Sequence, residues 1–294
     1  MKKRSIFLIA SCVMLACSVP VFAEEGGTEM TSESTVIEAN QEVSSIQTEE
    51  IRIPNGEKEI FGVLYKPETD GKCPVVILSH GYNGSNADFV GECEYFASMG
   101  IAAFAYDFCG GSVNSKSSGE STDMTVFTEK EDLKAVLDYI RTLEIVDPEQ
   151  IFLFGGSQGG LVTALTAEER AEDVKGLVLY FPAFNIPDDW RNTYPTVEEI
   201  PETLEFWGLN LGKEFFVSLH DFETFENIGT FHENVLIIHG DEDAIVPLSY
   251  AIKAQETYEN AELVILPGEG HGFSEEGGVE ARELAGRFIQ KNCR

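Results

Sequence analysis

Ser157 lies in Gly155-Gly156-Ser157-Gln158-Gly159-Gly160, a G-x-S-x-G pattern. The apolar run Ile151–Phe154 comes directly before it, and a helical stretch begins at Leu161. A sharp strand-to-helix turn strains the serine backbone, and small neighbours leave room for it. The hydroxyl is then presented at a helix N-terminus, where developing negative charge is favoured. A hydroxyl so placed is a nucleophile in waiting, and it needs a base. His271, in Gly268-Glu269-Gly270-His271-Gly272-Phe273, follows the last apolar run and can take the serine proton. Asp243, in His239-Gly240-Asp241-Glu242-Asp243-Ala244-Ile245-Val246-Pro247, follows the preceding run and can fix the imidazole tautomer. Asp241 is the competing acid; Asp243, third after Gly240 and before the Val-Pro step, is the better match.

Acyl transfer also needs donors for a developing oxyanion. His80-Gly81-Tyr82-Asn83-Gly84 follows the apolar run Pro74–Leu78. Its backbone N–H at Tyr82, with that of Gln158 next to the serine, makes the expected pair, each worth ~3 kcal/mol to the transition state. His80 and His239 read as braces of their loops, and His220 and His232 receive no role. The expected chemistry is hydrolytic acyl transfer through an acyl-serine intermediate.

These residues need elements to hold them. Apolar runs at 60–65, 74–78, 101–106, 151–154, 176–180, 235–238 and 263–266 read as strands, several of them buried on both faces. Leu133, Val136, Leu137 and Ile140 fall at helical spacing, as do Ala281, Leu284, Ala285, Phe288 and Ile289. Strands alternating with helices predict an α/β protein with a mostly parallel sheet covered on both faces, its site beyond the carboxyl ends of the strands. Residues 183–233 interrupt the alternation and hold both tryptophans, Trp190 and Trp207, with many phenylalanines. They are expected to form a mainly helical cap over the site; the alternative is an insertion that packs the sheet edge.

The chain begins Met1-Lys2-Lys3-Arg4, continues with an apolar run from Ile6 to Val21, and reaches Val21-Phe22-Ala23 before Glu24. That pattern predicts a signal peptide over 1–23 and a secreted product. A membrane anchor would be short for a ~20-residue span, and lipidation at Cys17 is a further option. Residues 24–47, rich in Glu, Ser and Thr and without Lys or Arg, read as a disordered linker, leaving 48–294 as the catalytic domain. Losing the three cations of the leader takes the formal net charge from −31 to −34, a surface that repels nucleic acid and anionic membranes. Hydrophobic residues make up 43%, enough for a globular core. Cys73, Cys93, Cys109 and Cys293 remain after the leader, with no CxxC, so neither a zinc site nor any other metal or cofactor is expected. Export permits disulfides; pairing and oligomeric state stay open.

The set HGYNG, YDFCGGS, GGSQGG, HGDEDAIVP and GEGHGF resembles the α/β-hydrolases, and more narrowly the bacterial cinnamoyl (feruloyl) esterases, over roughly residues 50–292. The resemblance implies an eight-stranded sheet flanked by helices, with a small cap inserted after the sixth strand, and a small-molecule ester as substrate. In those esterases a cap aspartate and tyrosine help bind the phenolic end of the acid. The matching positions here are Asp189 and Phe216. Phe216 lacks a hydroxyl, which predicts little gain from a phenolic hydroxyl on the acyl group. The alternatives are a peptidase of the acylaminoacyl or prolyl type, whose usual propeller does not fit in this length, and an inactive binding protein on the same scaffold.

Overall fold

The computed structural model describes residues 46–293. The segment read as an export signal, Cys17, and nearly all of the segment read as a linker lie outside the described residues. In chain order the strands are β1 (Gln47–Asn55), β2 (Lys58–Lys66), β3 (Cys73–Ser79), β4 (Ala102–Tyr106), β5 (Val146–Gly156), β6 (Gly176–Tyr180), β7 (Thr203–Phe206), β8 (Leu209–Gly212), β9 (Asn234–Gly240) and β10 (Ala261–Leu266). The helices are α1 (Val90–Ser98), α2 (Val126–Ile140), α3 (Gln158–Glu169), α4 (Ile186–Thr193), α5 (Lys213–His220), α6 (Leu248–Thr257) and α7 (Glu275–Asn292).

Eight strands form one sheet in the order β1-β2-β4-β3-β5-β6-β9-β10. The pairs β1–β2 and β2–β4 are antiparallel, and every other pair is parallel. Side chains along a strand alternate between faces, so the apolar runs divide into two cores. Val75, Ile77, Leu153, Leu177, Leu179 and Ile237 pack with α2, α3 and α6 on one face. Val76, Leu78, Phe154, Val178, Tyr180 and Ile238 pack with α1 and α7 on the other. Helix α2 starts where Thr125 accepts from the Thr128 N–H, and it buries Leu133, Val136, Leu137 and Ile140, the spacing read from the sequence.

Strand β1 begins inside the stretch read as linker. It is an edge strand that buries only Ile51 and Ile53, so its run of polar residues continues the linker composition without a break. The insertion between β6 and β9 is mixed where a mainly helical one was expected. It carries α4, α5 and the β7–β8 hairpin, whose turn is Trp207-Gly208, both at positive φ. The apolar residues of the insertion, including Phe184, Leu211, Phe215 and Phe216, join the core on the α2/α3 side. All four cysteines among the described residues are free thiols, three of them buried. Burial pushes the Cys73 and Cys93 thiols up, and Cys109, also buried and beside Asp132, is pushed up to about 12.

Candidate active site

Ser157 joins β5 to α3 at φ 53° and ψ −121°, a backbone conformation that costs on the order of 1–3 kcal/mol. The surroundings over-determine it. The Ser157 N–H donates to the Tyr180 carbonyl at 3.0 Å, and its own carbonyl accepts from Ala183 at 2.9 Å. A Cβ on Gly155 would lie 2.3 Å from the Gly159 carbonyl oxygen, and one on Gly159 would lie 2.3 Å from the Ser79 and His80 oxygens. Both glycines are therefore required by close backbone approach, and the turn is locked from below.

The loops after β9 and β10 bring two further side chains to the serine. His271 Nε2 is 2.9 Å from Ser157 Oγ, and Nδ1 is 2.8 Å from Asp243 Oδ2. The Nδ1–H tautomer satisfies both contacts, accepting from the serine and donating to the carboxylate. Asp243 Oδ1 accepts from the N–H groups of Ile245 and Val246, each at 2.9 Å. His239 Nε2 lies between the Val246 carbonyl at 2.9 Å and Asp243 Oδ2 at 3.4 Å. Burial alone would push the Asp243 carboxyl up. Hydrogen bonds from His239, His271 and Val246 overrule it and hold the carboxyl well below the usual range. Asp241, the competing acid, is exposed and instead accepts from the Gly268 N–H at 2.6 Å.

The Tyr82 loop passes close over the serine: a Cβ on Gly81 would stand 3.1 Å from Ser157 Cβ. His80 braces this loop, with Nδ1 donating to the Gly81 carbonyl at 2.7 Å and Nε2 accepting from the Phe108 N–H at 3.0 Å. Gln158 opens α3, where a backbone N–H has no intrahelical acceptor. Its side chain is buried and donates to Glu129 Oε2 at 2.7 Å. Burial pushes the Glu129 carboxyl up to about 8, against the opposing hydrogen bond from Gln158. The cap hairpin is tied to the same loop. Tyr82 Oη donates to the Phe206 carbonyl at 2.7 Å, and Asn83 Nδ2 to the Trp207 carbonyl at 3.0 Å.

A cavity of about 320 Å³ opens at Ser157 and His271, walled by Tyr82, Phe89, Phe181, Trp207 and Phe273. The Phe181 ring lies against the His271 ring at 4.6 Å between centroids. Neither Asp189 nor Phe216 reaches this cavity. Phe216 is 1% exposed, its ring packed 4.7 Å from Trp190 and 5.7 Å from Tyr194. Asp189 accepts from Asn185 Nδ2 at 2.6 Å within the base of the cap. The aromatic residues of the cap mostly pack on one another, and Trp207 alone of the two tryptophans comes to the cavity, so the inference drawn from the missing Phe216 hydroxyl loses its basis. Phe181 and Phe273 were not singled out from the sequence. Their signal was position: one directly follows β6 at its carboxyl end, and the other stands two residues past His271.

Fold and site together define an α/β-hydrolase. A family model for the prolyl oligopeptidase family matches residues 87–293, and the chain belongs to that family. Among solved structures, Est1E from Butyrivibrio proteoclasticus with bound ferulic acid superposes with a TM-score of 0.75 at 27% identity, covering 82% of this chain and 98% of that one. Among curated proteins, the caffeoylshikimate esterase of Arabidopsis thaliana is 34% identical over 146 residues, 47% of this chain and 41% of the relative. The quorum-quenching protein AidA of Acinetobacter baumannii is 25% identical over 113 residues, 38% of this chain and 36% of the relative. These two matches thus span well under half of the relatives' own length. An acyl transferase of Aliivibrio fischeri is 25% identical over 245 residues, 76% of each chain.

Proposed function

We propose that the protein hydrolyses carboxylic esters through an acyl-serine intermediate, with Ser157 as nucleophile, His271 as base and then acid, and Asp243 as the orienting carboxylate. The observation that carries this reading is the continuous relay Ser157–His271–Asp243, with links of 2.9 and 2.8 Å. As Ser157 Oγ attacks the ester carbonyl, its proton passes to His271 Nε2, and the imidazolium is stabilised by the buried Asp243 carboxylate. The tetrahedral oxyanion is held by the backbone N–H groups of Tyr82 and Gln158. His271 then protonates the departing alcohol, and water repeats the sequence on the acyl-serine.

The aromatic walls of the cavity favour an aromatic or medium apolar group on the substrate, and the likeness to Est1E makes cinnamoyl-type esters the first to try. Membership of the prolyl oligopeptidase family favours a second reading, amide-bond cleavage by the same residues. Labelling by a fluorophosphonate probe, followed by turnover of graded aryl and alkyl esters beside peptide substrates, tests both. Labelling of Ser157 with ester turnover supports the first reading, peptide turnover in excess of ester turnover the second, and a protein that never reacts is a binding scaffold. Export rests on the basic start and apolar run of residues 1–23; N-terminal sequencing of the mature protein, expected to begin at Glu24, tests it.

A further inference from the structure

Glu129 adjoins both segments that supply the oxyanion donors. Its Oε2 accepts from Gln158 Nε2 at 2.7 Å, and Gln158, 2% exposed, also lies 4.0 Å from Met124 Sδ. The backbone N–H of that same glutamine is the donor beside Ser157. Glu129 Oε1 adjoins the brace of the other donor. A Cβ on Gly111 would meet it at 3.2 Å and His80 Cε1 at 3.5 Å, so acid and imidazole flank one glycine. His80 in turn holds the Tyr82 loop. No cation balances this acid. Glu92 of α1, another glutamate that burial raises, faces Arg282 of α7 at 3.7 Å. Glu129 pairs with no lysine or arginine among the described residues. The titratable groups around it are Asp132 on its own helix, Tyr106 of β4, Tyr82, and His80, which burial pushes down and keeps uncharged. Asp107 acts on His80, and Cys109 and Lys58 act with Asp132.

We propose that Glu129 is a positioning residue for acyl transfer, holding the oxyanion donor of Gln158 in place through the buried Gln158 side chain. Glu129 is not among the residues that line the cavity, so it acts only through others. The turn it supports carries the strained serine, and a fixed side chain on the next residue keeps the donor aimed. Glu129 does this as an uncharged acid. Burial pushes its carboxyl up to about 8, so near neutrality its carbonyl oxygen accepts from Gln158 and no charge stands behind the donor. Once ionised, the carboxylate opposes the negative charge that grows on the substrate oxygen, in a buried setting where like charges repel strongly. Its charge already acts on Tyr82, the residue that supplies the second donor. Deprotonation of an acid that never meets substrate thus slows the chemical step without changing how substrate is bound: kcat falls and KM holds.

This rests on the proposed ester hydrolysis at Ser157, and the experiment separates the two. Hydrolysis of 4-nitrophenyl butyrate is measured at pH 7 and pH 9 for wild type and Glu129→Gln, per site titrated with a fluorophosphonate. Gln cannot ionise, and its amide oxygen can still accept from Gln158. Between the two pH values kcat of the variant should gain about fivefold on that of wild type, as expected if ionisation slows the step roughly tenfold. KM should differ between the proteins by less than about twofold. Comparing the two proteins, rather than reading either profile alone, sets aside the proton carried by His271. Equal kcat ratios in both, or a change carried by KM, overturn the positioning role and leave the esterase reading standing. Glu129→Leu removes the acceptor and should lower kcat about tenfold at both pH values; an unchanged kcat per titrated site overturns the role as well. If no ester turns over, the esterase reading fails. The comparison then moves to the rate at which the fluorophosphonate labels Ser157, a reaction that also builds charge on an oxygen at this site. Equal pH ratios for that rate in the two proteins, or no labelling at all, overturn the inference.

Discussion

Replacing Glu129 with Gln should stabilise the protein most where the medium is most alkaline. Glu129 is 1% exposed on α2, and its carboxyl is pushed up to about 8 from an ordinary value of 4.5. An acid that holds its proton more tightly folded than unfolded makes the fold less stable as pH rises through that interval, and the loss levels off above the folded value. Each pH unit of the gap is worth about 1.4 kcal/mol, so the loss attributable to this one residue is on the order of 4 kcal/mol between pH 5 and pH 9. The amide of Gln cannot ionise, yet its oxygen can still accept from Gln158 Nε2, now 2.7 Å from Glu129. Asp132, pushed up to about 6 by burial, gives a similar slope at lower pH in both proteins, and its charge is one of the causes that raise Glu129. The assay is urea unfolding of wild type and Glu129→Gln at pH 5, 7 and 9. The two should be close at pH 5, with the variant ahead by several kcal/mol at pH 9. Parallel stability curves across that range would refute the argument, since they would mean that Glu129 stays charged in the folded protein.

Ser157→Ala should lower kcat for esters by on the order of 10⁶ while leaving the circular dichroism spectrum and melting temperature near wild type; residual turnover close to wild type would remove Ser157 from its role. Asp243→Asn should cost ~10⁴ in kcat through the wrong imidazole tautomer, far more than Asp241→Asn, whose amide oxygen can still accept from the Gly268 N–H. Kinetics of the two variants side by side decide between the acids. Tyr82→Phe keeps the proposed backbone donor but removes the hydroxyl that donates to Phe206, so limited proteolysis within 203–212 should quicken several-fold relative to wild type.

The residues around the serine were legible because backbone geometry leaves few options there. Gly155 and Gly159 sit where a side chain has no room, and Asp243 and His271 follow apolar runs whose ends must converge. The cap was less legible. Phe216 and Trp190 have the composition of a binding pocket, yet aromatic residues are large enough to satisfy one another, and they did so away from the serine. Glu129 and Glu92 gave no sequence signal, and Tyr180 read only as the end of a strand. An acid in an amphipathic helix reads as solvent-facing, and only the fold places Gln158 against Glu129 and α7 against Glu92. Strand β1 was hidden for the opposite reason, since an edge strand with seven of nine residues unburied carries almost no hydrophobic pattern.

The hairpin at the cavity rim is fastened to the Tyr82 loop by hydrogen bonds to the carbonyl oxygens of Phe206 and Trp207, with the two rings adding edge-to-face contacts to Tyr82. The hydrogen-bonded part of the attachment thus does not depend on which side chains occupy those two positions. Trp207, 57% exposed, can be exchanged during divergence for residues that tolerate its positive φ while the loop beneath keeps those two hydrogen bonds. The mouth of the cavity is in this sense an editable surface on a fixed frame. New substrate preferences can be explored there by single substitutions whose cost to the reaction centre is small, and libraries confined to Trp207 and its neighbours should return a high fraction of folded, reactive members.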